Sequence, residues 1–508
     1  METTSTAIND EKRTKRAIIV GGSMAGLVTA IVLLKSAKNW NLQIYEKSVG
    51  DLSLRGAGIV TIERMIADLK MLGIIHDEGE SKLGAFLKKR CFYDNKGKSI
   101  LYSQYTDPPQ ISASWANLYM LCKAKLDHML ANDENSNSDE TKENDKENKF
   151  YYMGREVLGY RKDTASDKVL VTFQDNLSSG CSSNVGTVQC DLLIGCDGNM
   201  SKIRELMIDQ ILIELKQNGG LLWQELQDLK LGEMKEVTPR RELLTKQLEE
   251  SRYPLFANYV VYRFVLSESI LAQNDITGSW SEDLFSKFTF WGASNKMFML
   301  SYPMVGYEKN CNVGERLWNT VCYVHPNEKQ LRTIKERGRA GSAIGLPIDE
   351  TDLLSLKKSL FDKLIPKVLS NLFIYDENTT VMCHPVTDFC MPIFTDFKHV
   401  VLVGDSACTA RPHTAMGTTK AIEDAIALGE SLQEAEKYRT TEISAQSDML
   451  RRYNTIRVSA SERSLQHGRK VGECIFPFCS CEVENQEDAL KLLFMAVRLN
   501  AVHSSNFF

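Results

Sequence analysis

The residues best suited to chemistry begin at a glycine-rich turn, GGSMAG (Gly21, Gly22, Ser23, Met24, Ala25, Gly26), set between two apolar runs. A turn of this kind at the start of a helix points unpaired N–H groups and a positive dipole end at a pyrophosphate. Gly21 permits the tight turn, and Gly26 lets the helix approach the preceding strand. Ser23 stands where G-x-G-x-x-G has its middle glycine, and it is small enough for the backbone still to reach a phosphate. Ahead of the turn, AIIV (Ala17–Val20) has the length of a buried parallel strand, and behind it LVTAIVLLKSAK is apolar enough for a buried helix. A second short strand, LQIY, leads to Glu46 and Lys47. Glu46 lies where a carboxylate accepts hydrogen bonds from an adenosine ribose. Strand, turn, helix, strand and acid in register predict one nucleotide-binding βαβ unit. GRAGSAIG (Gly338–Gly345) has no strand before it and reads as a polar loop, so a second such unit is not expected.

Three further stretches carry chemistry. LRGAGI (Leu54–Ile59) offers small residues, Ala57 among them, against which a flat ring can approach the backbone, with Arg55 beside it. CDGNMSKIR (Cys196–Arg204) follows the buried-strand run CDLLIG and is an acid-glycine turn, Asp197 and Gly198, entering a helix with Ser201 and Arg204. HVVLVGD (His399–Asp405) is a third buried-strand run, closing on the Asp405 carboxylate. ARPHTAMGTTKAIEDAIAL then carries Pro412, His413, Gly417 and Thr418 into a helix.

The elements that must position these residues suggest an α/β chain of two or three domains, since 508 residues can bury a large core. A polar N-terminus, 1–16, is expected to be disordered and precedes a nucleotide-binding domain over 17–205. Within that domain 132–149 is almost entirely Asn, Asp, Glu, Lys and Ser, and reads as a disordered loop. SWANLYMLCKAKLDHML (Ser114–Leu130) reads as a helix, and Tyr151–Gln174 as a strand pair with Val157 on its first strand. Residues 206–250 read as a helical insertion, and 251–385 as a substrate domain of mainly antiparallel sheet. Its strand candidates are FANYVVYRFVL, FTFW, KMFMLSYPM and LWNTVCYVH, with helical spacing over Leu353–Leu372. Residues 386–435 return to the first domain, and 436–508 are mainly helical.

Bulk composition narrows the function classes. A formal charge of −5 and the lack of a basic stripe give no support for nucleic-acid binding. The polar N-terminal segment lacks the apolar core of a secretory signal. The longest apolar run, Leu27–Leu34, is too short to span a bilayer. Thirteen cysteines include no C-x-x-C, and the sole cluster is Cys474, Cys479 and Cys481. Reduced thiols in a cytoplasmic protein, without a metal site, are the expected reading, and a redox or metal role for that cluster is the alternative.

GGSMAG with Glu46, CDGNMSKIR, and VGDSACTARPHTAMGTTKA together resemble the three signatures of single-component FAD-dependent aromatic monooxygenases, the group that includes para-hydroxybenzoate and salicylate hydroxylases. LRGAGI, SW..LY, YPLFANYVVYR, LWNTVCY and ARPHTAMGTTKA are most similar to its 2,6-dihydroxypyridine 3-hydroxylase-like branch. The resemblance runs from residue 17 to residue 475, interrupted by the acidic loop and the helical insertion. It implies a Rossmann-type FAD-binding domain, an antiparallel substrate domain and a helical C-terminal part. Gly21 to Gly26, Glu46 and Lys47 would hold the ADP half of FAD, and the Val157 backbone would meet the adenine. Asp197 and Gly198, supported by Ser201 and Arg204, would serve both FAD and the nicotinamide donor. Asp405 would bind the ribityl chain near the diphosphate. Arg55, Ala57, Pro412 and His413 would lie beside the flavin ring, and Gly417, Thr418 and Thr419 would aim helix N–H groups at its N1–C2=O edge, where the reduced ring is negative. Met120 departs from the branch, which has an arginine after the tyrosine of SW..LY, so another cation must substitute there or FAD is held less tightly.

The activity so implied is hydroxylation of a phenolic or hydroxypyridine-like ring, with NADH or NADPH as donor, through a flavin C4a-hydroperoxide. His413 and Arg55 are the catalytic candidates; a histidine pKa near 6.5 suits proton exchange with a phenol. Tyr262, Trp291 and Tyr302 are expected to line the substrate pocket. The WxWxIP signature of flavin-dependent halogenases is absent. An FAD-dependent reductase and a flavoprotein-like scaffold that binds a partner stay open as alternatives, as does homodimerisation.

Overall fold

A computed structural model describes residues 15–36, 40–50, 52, 58–76, 80–93, 100–134, 150–163, 165–176, 184–217, 237–269, 286–291, 297–306, 315–337, 346, 381–437 and 442–480. The first third runs β1 (Lys15–Val20), α1 (Met24–Ser36), β2 (Trp40–Glu46), β3 (Gly58–Val60), α2 (Glu63–Met71), α3 (Glu80–Leu83), β4 (Ala85–Tyr93), β5 (Ile100–Ser114) and α4 (Trp115–Glu134). Then come β6 (Tyr151–Met153), β7 (Arg155–Asp163), β8 (Lys168–Asp175), β9 (Asn184–Cys190), β10 (Leu192–Gly195), α5 (Lys202–Lys216) and α6 (Val237–Glu250). Next are β11 (Leu255–Ser267), β12 (Lys287–Trp291), β13 (Met297–Met304), β14 (Leu317–Val324) and α7 (Glu328–Arg337). The last are β15 (Val381–Cys390), β16 (Val400–Leu402), β17 (Cys408–Thr409), α8 (Met416–Lys437) and α9 (Glu442–Ser480).

The chemistry-bearing turns belong to a five-stranded parallel sheet in the order β16-β10-β1-β2-β6. Its central strands are continuous apolar runs because helices cover both faces. α1 shows why: nine of its thirteen residues are buried, so it has no solvent face, and it packs on β1, α4 and α8. Gly21 sits at φ +103°, and an added Cβ there would lie 2.4 Å from the Cys196 carbonyl oxygen. At Gly26 the added carbon would fall 1.9 Å from the Gly21 oxygen, so helix and strand meet only because neither residue has a side chain.

A nine-stranded sheet, β17-β15-β11-β14-β13-β12-β4-β5-β3, forms the second layer. Most of its pairs are antiparallel, and β12 joins β4 in parallel. Its boundaries cross those read from the sequence. β3, β4 and β5 come from 58–114, inside the stretch assigned to the nucleotide unit, and β15 and β17 extend past 385. Strand pairing over such distances leaves no local pattern, which is why sequence boundaries missed it. A third sheet, β7-β8-β9, is antiparallel. α5 begins at Lys202 and buries Ile203, Met207, Ile208, Ile211, Leu212 and Leu215. It packs on β7 and β16, so the first part of the expected insertion is a helix of the nucleotide unit. Lys15 and Arg16 are already in β1, and α4 continues through Asn132–Glu134, both within stretches expected to be disordered. The remainder of those stretches, and Leu353–Leu372, lie outside the described residues.

Gly26→Ala is expected to destabilise the fold by about 1–3 kcal/mol or more. Gly50→Ala, with nothing within 4 Å of the added carbon, is the matched neutral control. Denaturant unfolding of the two variants beside the parent checks the contrast.

Candidate functional site

The three separated motifs leave the same edge of the parallel sheet. In the last paired row Tyr45, Val20, Gly195 and Leu402 lie side by side on β2, β1, β10 and β16. The chain then enters Glu46, the glycine turn, the acid-glycine turn and the Gly404–Asp405 turn, respectively. The carboxyl ends of parallel strands beside a topological switch point are where open α/β sheets bind ligands. Contacts between the turns are direct. Cys196 N donates to Val20 O (2.8 Å), Val403 N to Gly195 O (2.9 Å), and Arg204 Nη1 to Ser406 O (3.0 Å).

Arg204 is fully buried, with its guanidinium carbon 4.1 Å from the Phe389 ring centre. Its other donors go to the Asn199 and Arg252 carbonyls. Burial lowers its pKa to about 10, so it keeps its charge at neutral pH. The resemblance gave it support of the Asp197–Gly198 turn at the cofactor, and the residues alone also allowed a surface pair. The hydrogen bonds make it a strut between two motif turns and the end of α6.

Three of the acids are held by their own chain. Glu46 accepts from Gly22 N and Ser48 N, both at 2.8 Å. Asp197 accepts from Ser201 Oγ (2.6 Å), Lys202 N (2.7 Å) and Ile203 N (3.2 Å), closing the start of α5. Asp424 on α8 accepts from Gly404 N (2.9 Å), Lys420 Nζ (2.9 Å) and Arg457 Nε (2.6 Å). Lys420 Nζ also donates to Gly404 O (2.8 Å), so a fully desolvated ion cluster holds the turn that presents Asp405. Sequence reasoning missed Lys420 and Asp424; their i, i+4 spacing after GTT was the available signal. Asp405 differs from the other three. It is exposed, and among the described residues its carboxylate accepts no hydrogen bond. Protein surrounds it on its other sides, and this loss of water raises its pKa, with Lys420 and Arg204 opposing the rise.

The short 3-10 turn Pro412–Thr414 and the start of α8 form the other wall, with Ala415 left-handed at φ +54°. An added carbon at Gly417 meets open space, so the first turn of α8 is uncovered there, and Thr418 is half-buried beside it. Thr419 is buried and its hydroxyl points to the Met65 sulfur, 3.5 Å away. His413 Nε2 shares a 2.6 Å hydrogen bond with the Tyr259 hydroxyl, while its buried Nδ1 has no partner. Its ring lies edge-on to Tyr323, with centres 4.7 Å apart. Burial, with Arg411 nearby, pushes its pKa down to about 3. The ring is therefore neutral, and the proton exchange near neutrality expected of it is corrected to hydrogen bonding. Tyr259 was not foreseen.

The nine-stranded sheet offers this wall one face, and register decides which residues share it. Tyr302 is on it, stacked on Phe288. Tyr262, expected as lining, points to the opposite face, where Gln330 donates to its hydroxyl. The Trp291 side chain, Arg55 and Ala57 lie outside the described residues. Val157 is buried on β7, and the pairing slips between it and Gly159, a bulge that turns the backbone at that point. Met120 is half-buried. One turn on, Lys123 places its ammonium 5.5 Å from the Tyr151 ring centre, and the Tyr151 hydroxyl donates to Gly22 O (2.9 Å). Lys47 is exposed beside Glu46.

No protein-family model matches the chain, and no curated protein matches it. Solved structures are similar over nearly its whole length. With 2,6-dihydroxypyridine-3-hydroxylase from Arthrobacter nicotinovorans it shares 20% identity at a TM-score of 0.62, covering 93% of this chain and 95% of that one. A salicylate hydroxylase in a substrate complex gives 18% and 0.60, covering 97% and 96%. HpxO from Klebsiella pneumoniae, complexed with FAD and uric acid, gives 16% and 0.58, covering 96% and 93%. The chain has the fold of these proteins. In this chain that fold is a parallel sheet joined to a large mixed sheet, with a helical C-terminal part. Among the described residues no group of His, Cys, Asp or Glu could hold a metal, and no helix is long and apolar enough to cross a membrane. Nine of the described cysteines, from Cys91 to Cys474, are free thiols.

Two outcomes are expected. In protein carrying 15N-labelled histidine, the His413 ring signals should not move between pH 5 and 9. Asp424→Asn should cost about 3–5 kcal/mol, because it leaves Lys420 buried without its counter-ion and Arg457 with Glu423 alone. Burial alone would raise the Asp424 pKa, but Lys420 and Arg457 outweigh it and hold it below the usual range. That stabilisation is full above the unfolded value of about 3.9 and is lost as pH falls through the folded value. Urea unfolding should therefore show a constant gap between parent and variant from pH 5 to 8, closing on acidification.

Proposed function

We propose that this chain is an FAD-dependent monooxygenase that uses NADH or NADPH and O₂ to hydroxylate an aromatic small molecule. The observation that carries the reading is Asp405. Each neighbouring acid is saturated by its own chain, while the turn that carries this carboxylate is held by a rigid ion cluster and the carboxylate itself has no hydrogen-bond partner among the described residues, beside an uncovered helix start. A polyhydroxylated cofactor chain ending at a ring fits that pair of features: hydroxyls donate to the carboxylate, and the electron-rich edge of the ring takes the helix N–H groups. The same fold in HpxO complexed with FAD supports the choice of cofactor.

In this reading the turn Gly21–Gly26 and Glu46 hold the ADP half of FAD, with the backbone at Val157 toward the adenine and Lys47 beside the ribose. Lys123, whose ammonium also pairs with Asp127, stands one turn from Met120 as the cation on that side. Asp405 holds the ribityl chain, and Pro412, Gly417, Thr418 and Thr419 sit against the ring. Asp197, Gly198 and Arg204 act by fixing the turn between β10 and α5. FAD, reduced by the nicotinamide donor, supplies the activation of O₂ toward an electron-rich ring. The protein orients that ring and keeps water away, tasks suited to a wall of Tyr259, Phe298 and Tyr323. Neutral His413 fixes the Tyr259 hydroxyl and leaves Nδ1 as a further hydrogen-bonding atom at neutral pH.

The test loads the protein with FAD and follows NADH and NADPH oxidation with oxygen uptake, across phenols, salicylates and hydroxypyridines. At least one aromatic should accelerate donor oxidation with oxygen consumed. Asp405→Ala should weaken FAD retention by about tenfold or more, through loss of charge-assisted hydrogen bonds. Lys123→Ala should weaken it less. A protein that takes up no FAD would sink the reading.

A further inference from the structure

β17 links the Asp405 turn to the Pro412–Thr414 turn, and among the described residues β15 is its one strand neighbour, at the edge of the nine-stranded sheet. Register pairs Cys390 with Cys408 and Phe389 with Thr409. Met391 N donates to Ala407 O (3.0 Å), so those two residues form a hydrogen-bonded row. The Cys390–Cys408 row next to it is therefore a non-hydrogen-bonded one. Opposed side chains share a face, and in such a row the Cα atoms stand about 4.5 Å apart. A disulfide spans Cα separations of about 4.4–6.8 Å, so this row accepts the bond without a change of register. No other paired row among the described residues carries a cysteine on both strands.

Both residues are free thiols, Cys408 buried and Cys390 half-buried, which leaves a small oxidant one side of approach. Their contacts with the backbone are weak: Cys390 Sγ lies 3.6 Å from Met391 O, and Cys408 Sγ 3.7 Å from Ser461 O. A hydrogen bond with Cys408, and then burial, push the Cys390 thiol up, so the two sulfurs lose their protons one at a time. Lys420 feels the charge of Cys408, and Arg469 that of both sulfurs. A thiolate formed there meets cations, the setting in which cysteines react.

Two hydrogen bonds tie the strand to the Asp405 turn, from Ala407 N to Gly404 O (3.1 Å) and from Thr409 Oγ1 to Asp405 O (3.2 Å). Across the row, β15 is fixed by its long pairing with β11. Disulfides settle at a Cα spacing of about 5.5–6 Å, so closing the bond pushes β17 outward by about 1 Å. The Asp405 turn goes with it.

We propose that Cys390 and Cys408 are a modification site, oxidised by hydrogen peroxide to a cross-strand disulfide that shifts the Asp405 turn and loosens the cofactor. One sulfur attacks the peroxide O–O bond and becomes a sulfenic acid, and the displaced hydroxide leaves with the thiol proton as water. The second thiol attacks that sulfur, the S–S bond forms, and the sulfenic hydroxyl leaves with the second proton as water. The two sulfurs give up the two electrons that the peroxide gains. The disulfide rests on strand geometry, and its effect on the cofactor rests on the preceding reading.

The test treats full-length FAD-loaded protein with a small excess of hydrogen peroxide, blocks the remaining thiols and maps the peptides by mass spectrometry. FAD retention is read from flavin absorbance after buffer exchange. A peptide linking Cys390 to Cys408 should form while circular dichroism shows the fold intact. FAD retention should weaken about tenfold, and dithiothreitol should restore it. In Cys390→Ala the same treatment should leave FAD retention where it was. A link that forms only in unfolded protein, or cysteines oxidised singly to sulfinic acid, overturns the site. A linked peptide with FAD retention unaltered overturns the shift of the turn. Protein that takes up no FAD overturns the preceding reading, and the linked peptide then decides the disulfide by itself.

Discussion

The site depends on a charge that never reaches solvent. Arg204 has no carboxylate within ion-pair distance among the described residues; backbone carbonyls from Asn199, Arg252 and Ser406 satisfy it. A guanidinium so placed acts as a three-way clamp, because its planar donors are already set apart at fixed angles and little freedom is lost in using them. It holds two turns some two hundred residues apart in one orientation. The Lys420–Asp424–Arg457 cluster does the same for the far turn from the helical side. Removing either cation would leave the remaining groups buried and unsatisfied, so these contacts set geometry far more than they add net stability.

With the turns fixed, the division of labour among the acids follows. Glu46, Asp197 and Asp424 each accept two or three hydrogen bonds from their own chain and serve as architecture. Asp405 has been given a rigid seat and no partner among the described residues. The same contrast recurs on the mixed sheet, where Arg316 is paired with Glu268 and Arg263 is paired with nothing described. Polar groups that the fold does not satisfy mark the recess more clearly than the groups it does.

Much of this was legible in the residues alone. The glycine turn, the acid after the second strand, the two later strand-turn-helix passages and the long C-terminal helix declare themselves by local pattern, since each is a run of buried apolar residues ended by a turn. What the pattern could not supply was side and distance. Tyr259 and Tyr262 look equivalent in FANYVVYR, yet odd and even positions of a strand face opposite ways, and only pairing decides which face is inward. The distant partner of Arg204 was hidden for a related reason: arginine in an amphipathic helix ordinarily faces water, and nothing nearby in the chain announces that Ser406 will cover it. His413 kept its place beside the wall, but the burial that holds it neutral comes from residues of β11, β14 and α9 that its neighbours in sequence do not foretell.

The mixed sheet has one more consequence. Its middle is closed by the parallel pairing of β4 with β12, in which Lys89 faces Lys287. During synthesis at about 5–20 residues per second, β4 and β5 would leave the ribosome some 10–40 s before their partner strand exists. For that interval the nascent chain carries an unfinished sheet edge, a template for the wrong neighbour. The chain cannot therefore be assembled one domain after another: its amino-terminal half is completed only by its middle, and separately expressed halves would each inherit an open seam.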